Sequence, residues 1–310
     1  NVGGTGDCAD SDGIQREAAS ADAPPISPSA SRRVMVIGTQ GNMASMVADL
    51  VLARRLESTE GRANAAFVDA QARLDPSSGA IWKEIGGTFA MFAGVGSPLT
   101  QTFGLGLHQP LGDKDLDALE RFFGLRGSAV FHEVSPLAGV GVSASLAARA
   151  YRPIEMSNVL YQSIDTTTRV ARRDAFAVRV ASPDDVKAYA KTSAQGWSEQ
   201  VEVLPFIESF AHLSMAAATC FLAERDGAPV GAAALFMHAG TALLAGASTV
   251  PSARRQGVQN ALLDARLRLA AERGCDLAMM VAAPGSSSQR NAERQGFRIA
   301  YTRTKWQLDA

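Results

Sequence analysis

Apolar and polar positions along the 310-residue chain change period often enough to mark alternating helices and strands. Helical spacing predicts a helix starting near residue 44, an interruption at Gly61, and a second helix ending at Leu74. Asp75-Pro76-Ser77-Ser78-Gly79 reads as a turn. Strand-like runs follow at 80–85, 88–93 and 100–107. Residues 115–125 read as a helix, 128–134 as a strand, 143–150 as a helix, and 153–164 as a final strand or pair of strands.

The second half repeats that order. Residues 176–180 form a predicted strand, and Ser182-Pro183-Asp184-Asp185 is a helix start with an N-cap hydroxyl and acids in the first turn. Helices are predicted to about residue 195 and over 205–214. Strands at 219–225 and 230–238 flank the turn Asp226-Gly227, and another covers 242–250. Residues 258–273 predict a long amphipathic helix with Leu262, Ala265 and Leu269 on its apolar stripe, stopped by Gly274. The nearly continuous apolar run 275–281 predicts a strand covered on both faces. A helix over 286–295 and a closing segment over 297–308 complete the pattern. Leu116-Asp117-Ala118 overlays Leu263-Asp264-Ala265, and Gly127 overlays Gly274 at the same offset. The two halves therefore read as copies of one unit, joined through the charged, Thr-rich stretch 165–174.

Composition narrows the class. Hydrophobic residues at 46% and charged residues at 20% are globular proportions, and the length suits two domains. Lys+Arg 30 against Asp+Glu 31 leaves a net charge of -1, which argues against a general nucleic-acid binder. No apolar run reaches the roughly 18 residues that span a bilayer. Cys8, Cys220 and Cys275 are too scattered for a disulfide framework, and His108, His132, His212 and His238 lack metal-ligand spacing. His132-Glu133 has no second His four residues on, so it is not a zinc-protease motif. These features suggest a cytoplasmic protein without a metal. Residues 1–33 contain no Leu, Met, Phe, Tyr or Trp, and are expected to be disordered. The chain opens at Asn1, with Met35, Met43 and Met46 as alternative starts further in.

The segment 249–261 carries the most chemistry. A strand ends at Val250, Pro251 breaks it, and Arg254-Arg255-Gln256-Gly257-Val258-Gln259-Asn260 leads into the long helix. A basic, Gly-bearing turn at a helix N-terminus is an anion site, because converging N–H groups and the helix dipole both favour negative charge. Gly257 lets backbone approach the ligand closely. The alternative is an ordinary strand–helix turn with solvated arginines.

Here the chain resembles the GNAT superfamily of acyl-CoA-dependent N-acetyltransferases. That family's loop reads Arg/Gln-x-x-Gly-x-Gly/Ala, and this chain supplies Arg254-x-x-Gly257-x-Gln259, with Gln in the last place. Residues 276–281, the helix bearing Ser288-Gln289-Arg290-Asn291, and Gly296-Phe297 extend the likeness, which spans 176–308 in element order. The resemblance implies an α/β (α+β) fold of two tandem domains, each a mixed, mostly antiparallel sheet flanked by helices. It divides the chain into an extension (1–43), a degenerate copy (44–165) and an acyl-CoA-binding domain (174–310).

The resemblance also implies roles. The backbone of Ser248, Thr249 and Val250 would pair with the pantetheine arm of acetyl-CoA. The amides of Arg255, Gln256, Gly257, Val258, Gln259 and Asn260 would hold the pyrophosphate, with Arg254 or Arg255 reaching a phosphate. Asn291 would touch the pantetheine or thioester end. The family often places a thiolate-protonating Tyr four residues before the Gly-Phe, where this chain has Ala292. Ser288, one turn earlier, and Tyr301, on the closing strand, are the substitute acids. Glu199, Glu202 and Glu224 are candidate bases, and Trp197 and Phe206 candidate acceptor contacts. The first half has Leu107-His108-Gln109-Pro110-Leu111-Gly112-Asp113 where the loop would fall, without an Arg.

The implied reaction is acetyl transfer to a small-molecule or peptide amine in a ternary complex, with no nucleic acid or membrane partner. A homodimer is allowed. The alternatives are a catalytically lapsed CoA-binding sensor and an acyltransferase using another donor, such as an aminoacyl-tRNA.

Overall fold

The computed structural model describes residues 48–164, 176–199 and 204–309. The expectations for residues 1–43, Cys8, Glu202 and the boundary 165–174 lie outside the described residues. In chain order the first half runs α1 (Leu50–Leu74), β1 (Ile81–Ile85), β2 (Thr88–Phe92), β3 (Gln101–Phe103), α2 (Asp113–Gly124), β4 (Val130–Val134), α3 (Val140–Ala148) and β5 (Arg152–Ser163). The second runs β6 (Ala177–Val180), α4 (Val186–Trp197), α5 (Leu204–Ala217), β7 (Thr219–Arg225), β8 (Ala228–His238), β9 (Thr241–Thr249), α6 (Val258–Glu272), β10 (Leu277–Ala282), α7 (Ser287–Arg294) and β11 (Arg298–Leu308).

The strands form one sheet in the order β1-β2-β3-β4-β11-β5-β10-β9-β8-β7-β6, and residues 46–310 cluster as one compact unit. The pairing is mostly antiparallel, with β3–β4 and β9–β10 parallel. The centre is interleaved. The last strand of the chain, β11, lies between β4 and β5 of the first half (Thr304↔Val134, Thr302↔Asn158). In return β5 lies between β11 and β10 (Val281↔Val159). Each half lends its final strand to the other, so the central hydrogen-bond ladder joins them.

Two boundaries differ from the sequence pattern for physical reasons. Helix α1 runs unbroken through Gly61, where a Cβ would stand 2.6 Å from the Phe89 ring. That glycine is a close-packing residue and not a stop signal. The expected strand 100–107 is strand only to Phe103, where the chain turns through Gly104 (φ +79) and Gly106 (φ +69). Leu105 and Leu107 then bury completely or nearly so. On α6 the buried residues are Val258, Leu262, Arg266 and Ala270 with Ala261 and Leu263, so the inward stripe passes through an arginine.

Candidate functional site

Strands β9 and β10 pair only at Thr241↔Leu277, Ala242↔Ala278 and Leu243↔Met279. Beyond Leu243 they diverge, although β9 continues to Thr249 and β10 to Ala282. The sheet is open there as a V. One arm carries a β-bulge: Ala232↔Ser248 and Ala234↔Ala245 leave the single residue Ala233 of β8 facing Gly246 and Ala247 of β9. Gly246 adopts φ +58, which a side chain would strain. Ala245 and Gly246 are exposed in the middle of an otherwise buried strand.

The top of that arm leads into the basic loop. Gly257, at φ +95, N-caps α6 without any side-chain cap. The first helical bond is Ala261 N–H to the Gly257 carbonyl at 3.0 Å, so the N–H groups of Val258, Gln259 and Asn260 have no intrahelical acceptor. A Cβ on Gly257 would meet nothing within 4 Å, so the space beside this N-cap residue is open. Arg255 is exposed at φ +61. Gln259 donates to Thr249 Oγ1 at 2.8 Å, which pins the helix start to the strand end. Gln256 donates to the Ser252 carbonyl at 3.0 Å and accepts from Arg225.

Arg254 is engaged by the end of α4 and the residues just after it. It donates to Glu199 at 2.7 Å and to the Gly196 carbonyl at 3.1 Å. Gly196 allows this closeness, since a Cβ there would sit 2.6 Å from Ser248 Cβ and 2.9 Å from Thr249 N. The end of α4 therefore covers Ser248 and Thr249, both buried, and the Val250 N–H bonds the Val230 carbonyl. The open backbone of β9 lies at Ala245 and Gly246, just before the three residues expected from the sequence.

The two candidate acids stand apart. Ser288 is exposed on α7, whose Ala292 packs with Ala278, Ala282 and Leu160. Tyr301 packs on the other face of the sheet with Val159, Val281 and α1. Its hydroxyl donates to Glu57 at 2.9 Å, and burial pushes the phenol well above its ordinary range. Burial also raises the Glu57 carboxyl to about 7, against the opposing pull of Arg303. Asn291, exposed on α7, accepts from Arg294 at 2.9 Å. Glu224 is held by Arg179, Trp197 is half-buried and Phe206 is exposed. Glu57, Glu60, Arg266 and Arg303 escaped the sequence reading. Their common signal is a charge on an apolar helix or strand face.

The matching place in the first half is closed. Strands β3 and β4 pair only at Thr102↔His132 among the described residues, and Leu105 and Leu107, just after β3, are buried. A Cβ on Gly106 would lie 2.6 Å from Val142. Asp115 accepts from the Gly112 N–H at 3.0 Å, so a carboxylate occupies the N-terminus of α2.

Residues 186–297 match the model of the Acetyltransferase (GNAT) family. Those residues are a GNAT acetyltransferase domain. The acyltransferase part of the chain thus holds the open V and the uncapped α6. Solved structures extend the GNAT likeness in fold to the first half. A GCN5-related N-acetyltransferase from Kribbella flavida matches at TM-score 0.60 and 18% identity, covering 84% of this chain and 96% of that one. One from Sphaerobacter thermophilus matches at TM-score 0.50 and 14% identity, covering 84% and 92%. A tandem GNAT protein from the clavulanic acid biosynthesis pathway matches at TM-score 0.52 and 14% identity, covering 85% and 97%. A comparison with curated proteins finds no match. No helix among the described residues is long and apolar enough to cross a membrane.

Proposed function

We propose that the GNAT domain transfers an acetyl group from acetyl-CoA to an amine by direct attack in a ternary complex, in a cytoplasmic setting. The first half acts as a degenerate copy that completes the sheet. The observation that carries this reading is the continuity of the open V, with Ala245 and Gly246 exposed, into an α6 N-terminus whose N–H groups lack acceptors.

The backbone of β9 at Ala245–Ala247 offers hydrogen bonds to an extended pantetheine arm. The N–H groups of Val258, Gln259 and Asn260 and the side chain of Arg255 bind the pyrophosphate. Arg254 anchors the end of α4 to the loop. The Gly246 N–H is the donor placed for the thioester oxygen, which gains negative charge as the amine attacks. The amine nitrogen forms the new bond to the carbonyl carbon, the C–S bond breaks, and the thiolate takes a proton as the amine loses one. Ser288 is the candidate on the α7 side for supplying that proton.

A second reading, CoA binding without catalysis, is favoured by Ala292. It is 3% exposed within the core, so no phenol stands where the family often has one. Thiol detection with acetyl-CoA and a panel of small amines and peptides separates the two. Amine-dependent CoA release supports transfer. Tight binding without release to any amine supports the lapsed reading.

A further inference from the structure

Arg266 is 2% exposed, in the middle of α6. Its hydrogen bonds go to backbone carbonyls: Nε to Leu262 at 3.1 Å, and Nη1 to Ala234 at 3.3 Å and Ala245 at 3.4 Å. Burial lowers the guanidinium to about 10, so it remains a cation at neutral pH. Ala234 and Ala245 face each other across the strands at the edge of the bulge. The guanidinium thus supplies donors where the β8–β9 ladder is interrupted.

The position of the Ala245 carbonyl gives this charge a second consequence. That carbonyl and the Gly246 N–H are the two ends of one planar peptide group, and they point in opposite directions. With the oxygen hydrogen-bonded to Arg266, the N–H points away from the guanidinium. A cation at the oxygen end polarises the group and makes its N–H a stronger donor.

We propose that Arg266 is a positioning residue for acyl transfer, acting through the Ala245–Gly246 peptide to orient and strengthen the Gly246 N–H toward the thioester oxygen. This rests on the acyl-CoA reading of the V. A side chain that only filled the space beside Leu262 would need no permanent charge, and one that only satisfied two carbonyls could be an amide.

The test uses acetyl-CoA labelled with carbon-13 at the thioester carbonyl, bound to the full chain. Calorimetry measures binding, and isotope-edited infrared spectroscopy measures the carbonyl stretch. The parent should shift the stretch to lower frequency than in free acetyl-CoA. Arg266→Gln should bind within about threefold of the parent yet lose most of that shift, and kcat with any accepted amine should fall about tenfold or more while KM for acetyl-CoA changes little. Arg266→Lys, which keeps a charge but places it as a compact ammonium, should show an intermediate shift. That variant carries the test if Arg266→Gln does not fold. A folded, binding variant of either kind with the parent's full shift would overturn the proposal. Absence of acetyl-CoA binding by the parent would overturn the acyl-CoA reading itself, a result separate from an unchanged shift.

Discussion

Arg303 on the last strand of the chain clasps Glu60 on the first helix, with Nη1 and Nη2 at 2.6 and 2.8 Å from the two carboxylate oxygens. Its Nε also reaches Ser157 at 3.0 Å and Glu133 at 2.9 Å. This buried cluster lies where β11 is inserted into the first half, so it fixes the exchange of strands with directional bonds. Removing only the cation leaves Glu57, Glu60 and Glu133 buried without it. Arg303→Met should therefore cost about 3–5 kcal/mol in urea unfolding. Adding Glu57→Gln and Glu60→Gln should recover part of the loss. A cost below about 1 kcal/mol would show that the cluster does not hold the exchange.

Gly61→Ala separates helix propensity from packing. In an exposed helix interior the change would stabilise by about 1 kcal/mol. Here the new methyl would stand 2.6 Å from the Phe89 ring, and the prediction is a loss of about 1–3 kcal/mol. A raised melting temperature would contradict it.

His132 predicts an acid sensitivity. The ring lies between Thr102 Oγ1 at 2.7 Å and the Tyr151 hydroxyl at 3.1 Å, and that hydroxyl donates to Glu120 at 3.3 Å. The ring is therefore assigned as neutral, donating from Nε2 and accepting at Nδ1. Burial lowers its pKa from 6.5 to about 3. Between those values the unfolded chain binds the proton and the folded chain does not. The stabilisation is complete above about pH 6.5 and is lost as pH falls toward 3, at about 1.4 kcal/mol per unit. Glu57, raised by burial, has the opposite sign: its contribution weakens as pH rises from 4.5 to about 7. Comparison with His132→Gln cancels that term. From pH 7.5 to 4.5 the parent should lose about 2–3 kcal/mol more than the variant. Parallel curves would contradict the assignment.

Tyr301→Phe tests the buried phenol. Its hydroxyl is bound to Glu57 on the α1 face, two strands from the edge of the V. Stability should fall by about 1–3 kcal/mol, with kcat for any accepted amine within about threefold of the parent. A drop of about a hundredfold in kcat with an unchanged melting temperature would make Tyr301 the proton donor.

The element order was legible because hydrophobic period and turn residues act locally. The sequence contains Asp226-Gly227, and the structure turns there between β7 and β8. The start of α6 after residues 254–257 was legible because a Pro that breaks a strand and a Gly before an apolar period mark a helix N-terminus locally. What escaped was long-range. Nothing near Arg266 in sequence announces a bulge in β9, so the apolar period marks the stripe Leu262–Ala265–Leu269 and passes to one side of the buried arginine. The interleaving of β5 and β11 is a pairing of residues far apart in the chain, which local pattern does not encode. The cover over Ser248 and Thr249 depends on Gly196, more than fifty residues earlier.

The most direct test of the account is calorimetry of acetyl-CoA with the parent and with Gly257→Glu. Position 257 combines φ +95 with open space around a built Cβ at the start of α6, so a carboxylate there would stand at the proposed phosphate site and repel the ligand. The parent should bind in the micromolar range, about -8 kcal/mol, and a folded variant should lose at least about a hundredfold. A folded parent that does not bind at millimolar acetyl-CoA, or a variant that binds as tightly as the parent, would contradict it.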